Sequence, residues 1–194
     1  MPPLEIVVDG TDSGGKTPCV EALRRTFAIG RDVRICAPFR VQEVYPFWDR
    51  EPRRAAAIIR AVMDDFRRAS VGADLIIWDR GWPTAWVSTT DSAARDAFLP
   101  FPDMTVLLLN SIETTIRKAK KHGLHAIWVK DPALVRRYHD AYHALPRRVS
   151  GDQLAAFFPA ENGYYDYATI SAYASERLSL RQTMNGNVIQ SSAS

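Results

Sequence analysis

Gly10-Thr11-Asp12-Ser13-Gly14-Gly15-Lys16-Thr17 decides how this chain is read. It follows the β-rich run Leu4-Glu5-Ile6-Val7-Val8-Asp9 and precedes the helical run Val20-Glu21-Ala22-Leu23-Arg24-Arg25. The spelling is G-x-x-x-x-G-K-[ST], set between a strand and a helix as a phosphate-binding loop requires. Glycines let the backbone turn sharply and bring several N–H groups onto one phosphate. The helix that starts near Lys16 adds the positive end of its dipole. Lys16 is placed to reach the β- and γ-phosphates of a nucleoside triphosphate, and the Thr17 hydroxyl to ligate Mg²⁺. Pro18 in the first helical turn is tolerated, because its missing N–H has no intrahelical partner there.

Outward from the loop, short apolar runs at Ile6–Asp9, Val33–Ala37, Leu75–Asp79 and Met104–Leu109 read as buried parallel strands with helical patterns between them. A fifth, weaker strand is expected at Gly163–Tyr167, after a short helix around Gln153–Phe158. The fold class is therefore α/β, a three-layer P-loop fold with a parallel five-stranded sheet, helices on both faces and a small helical lid. Helices are expected at Lys16–Ala28, Pro52–Ala69 and Ser171–Met184, and the aromatic stretch Tyr45-Pro46-Phe47-Trp48 is expected to be irregular. Asp79, an acid closing an apolar strand, is the expected second group on the Mg²⁺ side, and the adjacent Arg80 offers a planar fork to a phosphate. The run Arg117-Lys118-Ala119-Lys120-Lys121-His122 reads as a lid over about 117–131 or as a charged surface hairpin.

At 194 residues the chain is expected to be one domain over 1–194, with a frayed tail from about 185 to 194. The formal charge of +3 is weak support for polyanion binding, so no stable nucleic-acid partner is expected. Cys19 and Cys36 show no metal-ligand spacing and are expected to be reduced and inert. Met1-Pro2-Pro3 leads straight into a strand, and no apolar run approaches the roughly 20 residues of a membrane span, so a cytoplasmic protein is expected.

Several of these pieces resemble one family, the thymidylate kinases within the nucleoside and nucleotide monophosphate kinases. The loop from Val8-Asp9 to Thr17, the pair Asp79-Arg80, the run Asn110-Ser111-Ile112-Glu113 through Lys121 and the stretch Arg136-Arg137-Tyr138-His139-Asp140-Ala141-Tyr142 look like its motifs in order. Pro38-Phe39-Arg40 is similar to its segment after strand two, and Arg60 lies near where it places a base- and phosphate-contacting arginine. The resemblance implies ATP as phosphoryl donor, Mg²⁺, and a dimer. It also implies a set of site residues. Lys16, Asp12, Arg80, Lys118 and Lys121 would be catalytic. ATP would meet Asp12, Ser13, Gly14, Gly15, Lys16, Thr17, Pro18 and Arg117. The acceptor would meet Asp12, Phe39, Arg40, Arg60, Arg80, Trp82 and Tyr142. Thr17 and Asp79 would hold the metal.

The departures bear on the acceptor pocket and lid. Ser88 stands roughly where the family has an aromatic residue against the sugar, and Leu124-His125-Ala126-Ile127 replaces its usual lid motif. Ser13 is no arginine, so a catalytic cation would come from the lid. Trp48, Trp82 and Trp86 read either as an altered base pocket or as core aromatics. The expected reaction is transfer from ATP to a (deoxy)nucleoside monophosphate, dTMP or a related pyrimidine nucleotide. The alternatives are phosphorylation of a hydroxyl on a nucleoside or modified nucleotide, which would need Asp12 or Asp79 as base, and a nucleotide-dependent binding protein.

Overall fold

Nothing polar interrupts the middle of β1 (Leu4–Gly10), and the reason is its place in the sheet. The computed structural model describes residues 2–11, 14–42, 45–48, 50–121, 131–149 and 153–191, with backbone alone at 45, 46, 119, 132, 182 and 184–191. β1 lies at the centre of a five-stranded sheet, with β3 (Leu75–Asp79) on one side and β4 (Met104–Leu108) on the other. β2 (Val33–Cys36) and β5 (Leu154–Phe157) form the edges, giving the order β2-β3-β1-β4-β5 with every pair parallel. Both faces are covered by helices, so the three-layer α/β expectation holds.

Side chains alternate between two cores, as the period of a strand dictates. Ile6, Val8, Ile77, Val106 and Leu108 pack on one face with Cys19, Val20, Leu23 and Phe27 of α1 (Lys16–Phe27) and Ile170, Ala174 and Leu178 of the last helix. Val7, Ile76, Trp78 and Leu107 pack on the other. There they meet Ala55, Ala56, Ile59 and Met63, the apolar stripe of α3 (Pro52–Ala69). Trp78 is fully buried, edge-on to Phe66 with ring centroids 5.5 Å apart, and its indole N–H donates to Glu5 Oε2 at 3.0 Å.

Short helical elements add to the expected plan, among them a 3₁₀ turn at Leu145–Arg147. The aromatic stretch forms a single turn, α2 (Tyr45–Trp48), where irregular chain was expected. α4 (Trp82–Ser88) and α5 (Ser92–Asp96) fill the β3–β4 connection. Pro38–Arg40 is a 3₁₀ turn. α6 (Ile112–Lys121) and α7 (Pro132–Ala144) flank residues 122–130, so most of the expected lid lies outside the described residues.

Two expectations are corrected at the carboxyl-terminal end. The fifth strand is Leu154–Phe157, where a short helix was expected, and Gly163–Tyr167 is not a strand. The two alanines favour a helix locally, but position decides: Leu154 and Ala156 face one core, Ala155 and Phe157 the other, and the segment completes β4 from Thr105 to Leu108. Gly163 sits at φ +79° in a turn. The last helix, α8 (Tyr167–Ser191), starts before the expected Ser171 and runs beyond Met184. Asp166 explains the early start, since its Oδ1 accepts the backbone N–H groups of Ala168 and Thr169, each at 3.1 Å. Among the described residues no helix is long and apolar enough to cross a membrane.

Both cysteines are free thiols, and burial raises them, Cys19 to about 12 and Cys36 to about 11. A raised thiol stays protonated at neutral pH and is a poor nucleophile. An aromatic disulfide reagent at pH 8 should therefore label neither thiol in the native protein and both after denaturation, and fast native labelling would contradict this burial.

Candidate functional site

The chain leaves β1 towards β2 and β3, then crosses to β4 and β5 on the other side, so its direction reverses at β1. The carboxyl ends of strands at such a reversal are where ligands of open α/β sheets bind. The phosphate loop leaves the end of β1 there, and Asp79 and Arg80 stand beside it at the end of β3, the neighbouring strand.

Backbone contacts shape the loop. The Thr11 N–H donates to Leu108 O at 3.0 Å, and its Oγ1 accepts the Asn110 N–H at 3.0 Å, which pins the loop to the end of β4. Gly14 N–H donates back to Thr11 O at 3.0 Å. Gly15 caps α1 at φ +77°, a conformation that disfavours a side chain, and a Cβ there would meet the Tyr167 hydroxyl at 2.5 Å. That hydroxyl donates to Gly15 O at 3.2 Å. The Lys16 ammonium is buried and donates to Thr11 O at 2.8 Å and Gly10 O at 3.2 Å. Thr17 and Pro18 are exposed on the first turn of α1. Asp12 and Ser13 lie outside the described residues.

Asp9 was missed as a site residue, although it is the buried acid next to the loop. Its carboxylate is 0% exposed and collects donors from three other parts of the chain. Oδ1 accepts Gly10 N–H at 2.7 Å and the Tyr142 hydroxyl at 3.1 Å. Oδ2 accepts the N–H groups of Gly81 and Thr84, both at 3.0 Å, and the Thr84 hydroxyl lies 2.9 Å from both oxygens. Asp9 thereby caps the start of α4 from another strand, in place of a local capping residue. The available signal was an acid closing an apolar strand, the same one that singled out Asp79. Thr84 carries no comparable signal.

Arg80 has φ +78°, and no other non-glycine among the described residues has a positive φ. Such strain persists where neighbours over-determine the backbone. Here Arg80 N–H donates to Val8 O at 2.9 Å, and the next N–H, of Gly81, is held by Asp9. Arg80 Nη1 lies 3.5 Å from Thr84 Oγ1 and 3.8 Å from Asp9 Oδ1. One residue earlier, Asp79 Oδ2 accepts Arg40 Nη2 at 2.8 Å, which brings Arg40 to the site with a side chain 68% exposed.

Other expected site residues have structural commitments. Phe39 is buried, stacked on Phe98 at 6.0 Å and edge-on to Trp48 at 5.5 Å. Trp82 is 3% exposed, and its indole N–H donates to Thr105 Oγ1 at 2.8 Å, so it belongs to the core. Tyr142 is buried, with its hydroxyl on Asp9 and 3.1 Å from Thr84 Oγ1. Arg60 binds Asp64 at 3.0 Å and the carbonyls of Ala97 and Leu99, fastening the chain after α5. Trp48 and Trp86 each keep a buried indole N–H without a partner among the described residues.

On the β4 side, Lys118 Nζ donates to Gly163 O at 3.2 Å, and its pKa is lowered by burial and then by Arg117. Arg117 Nη2 lies 3.4 Å from Thr114 Oγ1, while Lys121 is exposed at the end of α6. Asn110 gathers this side. Its Oδ1 accepts the Tyr165 hydroxyl at 3.2 Å, and its carbonyl lies 3.1 Å from Nε2 of both His139 and His143 on α7. Burial lowers the pKa of His143. Among the described residues no group of three or more His, Cys, Asp or Glu could hold a metal. Thr17 and Asp79 remain a hydroxyl and a carboxylate, hard donors suited to Mg²⁺, which keeps several waters of its own.

No family model matches the chain, and no curated protein matches it by sequence. Solved structures do match by fold. A deoxyadenosine kinase from M. mycoides, solved with the products dCMP and dCDP, superposes with a TM-score of 0.61 at 13% identity, over 91% of this chain and 99% of that one. A thymidylate kinase from Ehrlichia chaffeensis superposes with a TM-score of 0.60 at 14% identity, over 92% of this chain and 100% of that one. The chain has the fold of these nucleoside and nucleotide kinases.

Gly15→Ala combines the unfavourable φ with the clash at Tyr167. It should lower the unfolding free energy by about 1–2 kcal/mol or more, the left-handed penalty alone. Urea denaturation beside the wild type checks this, and unchanged stability would show that the loop does not need its present shape.

Proposed function

We propose that the protein transfers a phosphoryl group from ATP to the phosphate of a (deoxy)nucleoside monophosphate, dTMP or a related pyrimidine nucleotide. The observation that carries this reading is Arg80, fixed in a strained left-handed turn beside the phosphate loop. Backbone strain that neighbours hold in place clusters at functional positions, and an arginine fork suits a phosphate.

In this reading the loop N–H groups and Lys16 hold the donor phosphates, and Thr17 and Asp79 would hold Mg²⁺. When bound, Mg²⁺ would supply positive charge against that of the phosphates. Arg80, with Arg40 beside Asp79, aims the acceptor phosphate in line with the donor. Position and positive charge are most of what phosphoryl transfer asks of a protein. Arg117, Lys118 and Lys121 supply the cations on the β4 side. Trp82 is 3% exposed and bonded to Thr105, so this reading gives it no contact with the acceptor base. The cellular site and oligomeric state that go with this reading are a cytoplasmic enzyme and a homodimer.

The second reading, transfer to a hydroxyl, is favoured by the fold shared with the deoxyadenosine kinase. It needs a base to take the hydroxyl proton. Of the two expected bases, Asp79 is ion-paired to Arg40, and Asp12 lies outside the described residues. A phosphate acceptor is already an anion and needs no base. For that reason it is the better fit.

ATP turnover against a panel of nucleosides and nucleoside monophosphates, read as ADP release, decides between them. The expected result is turnover with a pyrimidine deoxynucleoside monophosphate, abolished in Lys16→Ala. Turnover only with acceptors lacking a phosphate would sink this reading. Neutralising Lys118, Lys120 and Lys121 together should lower kcat about 10³-fold with little change in ATP binding, as loss of a transition-state cation does. An unchanged kcat would make α6 a solvated face.

A further inference from the structure

Asp9, Thr84 and Tyr142 bring β1, α4 and α7 to one buried point, and Arg80 borders it. Hydrogen-bond bookkeeping gives the arrangement a direction. An ionised carboxylate only accepts, and a hydroxyl donates once. Asp9 therefore takes the hydroxyl protons of both Thr84 and Tyr142, and Thr84 Oγ1 is left to accept from Arg80 Nη1. The Tyr142 hydroxyl spans both members, at 3.1 Å from Asp9 Oδ1 and 3.1 Å from Thr84 Oγ1. A shift of α7 must be felt at both, and through the Gly81 N–H and Thr84 Oγ1 at Arg80.

We propose that Asp9, Thr84 and Tyr142 form a positioning relay that holds Arg80 in its left-handed conformation and couples its guanidinium to the placement of α7. This rests on the assignment of Arg80 to an acceptor phosphate. The relay gives Tyr142 a different task from direct acceptor contact: it acts through Arg80. It also ties α7 to Arg80, so the placement of α7 and the alignment of the acceptor phosphate are linked.

The test is calorimetric binding of inorganic phosphate to the intact protein saturated with Mg·ADP, for wild type, Arg80→Ala, Tyr142→Phe, Thr84→Val, Thr84→Ser and the Tyr142→Phe/Arg80→Ala double variant. Arg80→Ala should weaken phosphate about tenfold, the scale of one charge-assisted hydrogen bond. Tyr142→Phe and Thr84→Val should each weaken it several-fold. Thr84→Ser, which keeps the hydroxyl, should restore it. The double variant should bind as Arg80→Ala does, because residues acting through one partner are not additive. In turnover, Tyr142→Phe should lower kcat/KM for the acceptor and leave KM for ATP unchanged.

Phosphate affinity in Tyr142→Phe equal to wild type overturns the relay, as does an additive double variant. If Thr84→Val fails to fold, Tyr142→Phe alone carries the decision. Phosphate binding that ignores Arg80→Ala overturns the relay too. Arg80-dependent phosphate binding without turnover on any monophosphate would overturn the kinase reading and leave the relay standing.

Discussion

A carboxylate with no access to water must find its donors inside the protein, and much of the arrangement at the carboxyl ends of the strands follows from that constraint at Asp9. β1 carries the acid into the middle of the sheet. The chain answers with the N–H groups that open α4, a threonine hydroxyl and a tyrosine from α7. Apart from the adjacent Gly10 N–H, each donor belongs to a segment far away in sequence, so a single charge fixes how the β3–α4 turn and α7 meet the phosphate loop. Removing one partner would leave the rest facing a buried, undersatisfied charge, which costs more than the lost bond alone.

A second gathering point, neutral this time, lies across the loop at Asn110. Its backbone N–H holds Thr11, its side chain receives Tyr165, and its carbonyl faces two imidazoles of α7. Tyr167 closes the same side by reaching Gly15. The phosphate loop is therefore clamped from the β3 side by Asp9 and from the β4 side by Asn110. α7 touches both clamps. A helix in that position meets Asp9 and Thr84 through Tyr142 and Asn110 through His139 and His143, which is a physical basis for linking the two sides of the loop.

Much of this fold was legible in the sequence because its signals are local or strongly periodic. Parallel strands buried on both faces read as unbroken apolar runs, and four of the five were found with the loop between β1 and α1. The apolar stripe of α3 was equally plain. β5 was not, because Leu154-Ala155-Ala156-Phe157 has the composition of a helix and becomes a strand only against β4. Arg80 and Asp79 stood out at a strand end. Trp82 suggested a pocket by its neighbourhood but is core, since only the packed structure reveals Thr105 beneath it. Asp9 and Tyr142 are 133 positions apart, and no local pattern announces their contact.

Arg80 and the kind of group it receives are central to the proposed function. The most direct measurement is a crystal structure with Mg·ADP and a pyrimidine deoxynucleoside monophosphate bound together. The account predicts the ADP phosphates on the Gly14–Thr17 loop and the acceptor phosphate on the Arg80 guanidinium, with the Asp9, Thr84 and Tyr142 contacts intact. An acceptor phosphate seated away from Arg80, or a sugar hydroxyl facing the ADP phosphates in its place, would contradict it.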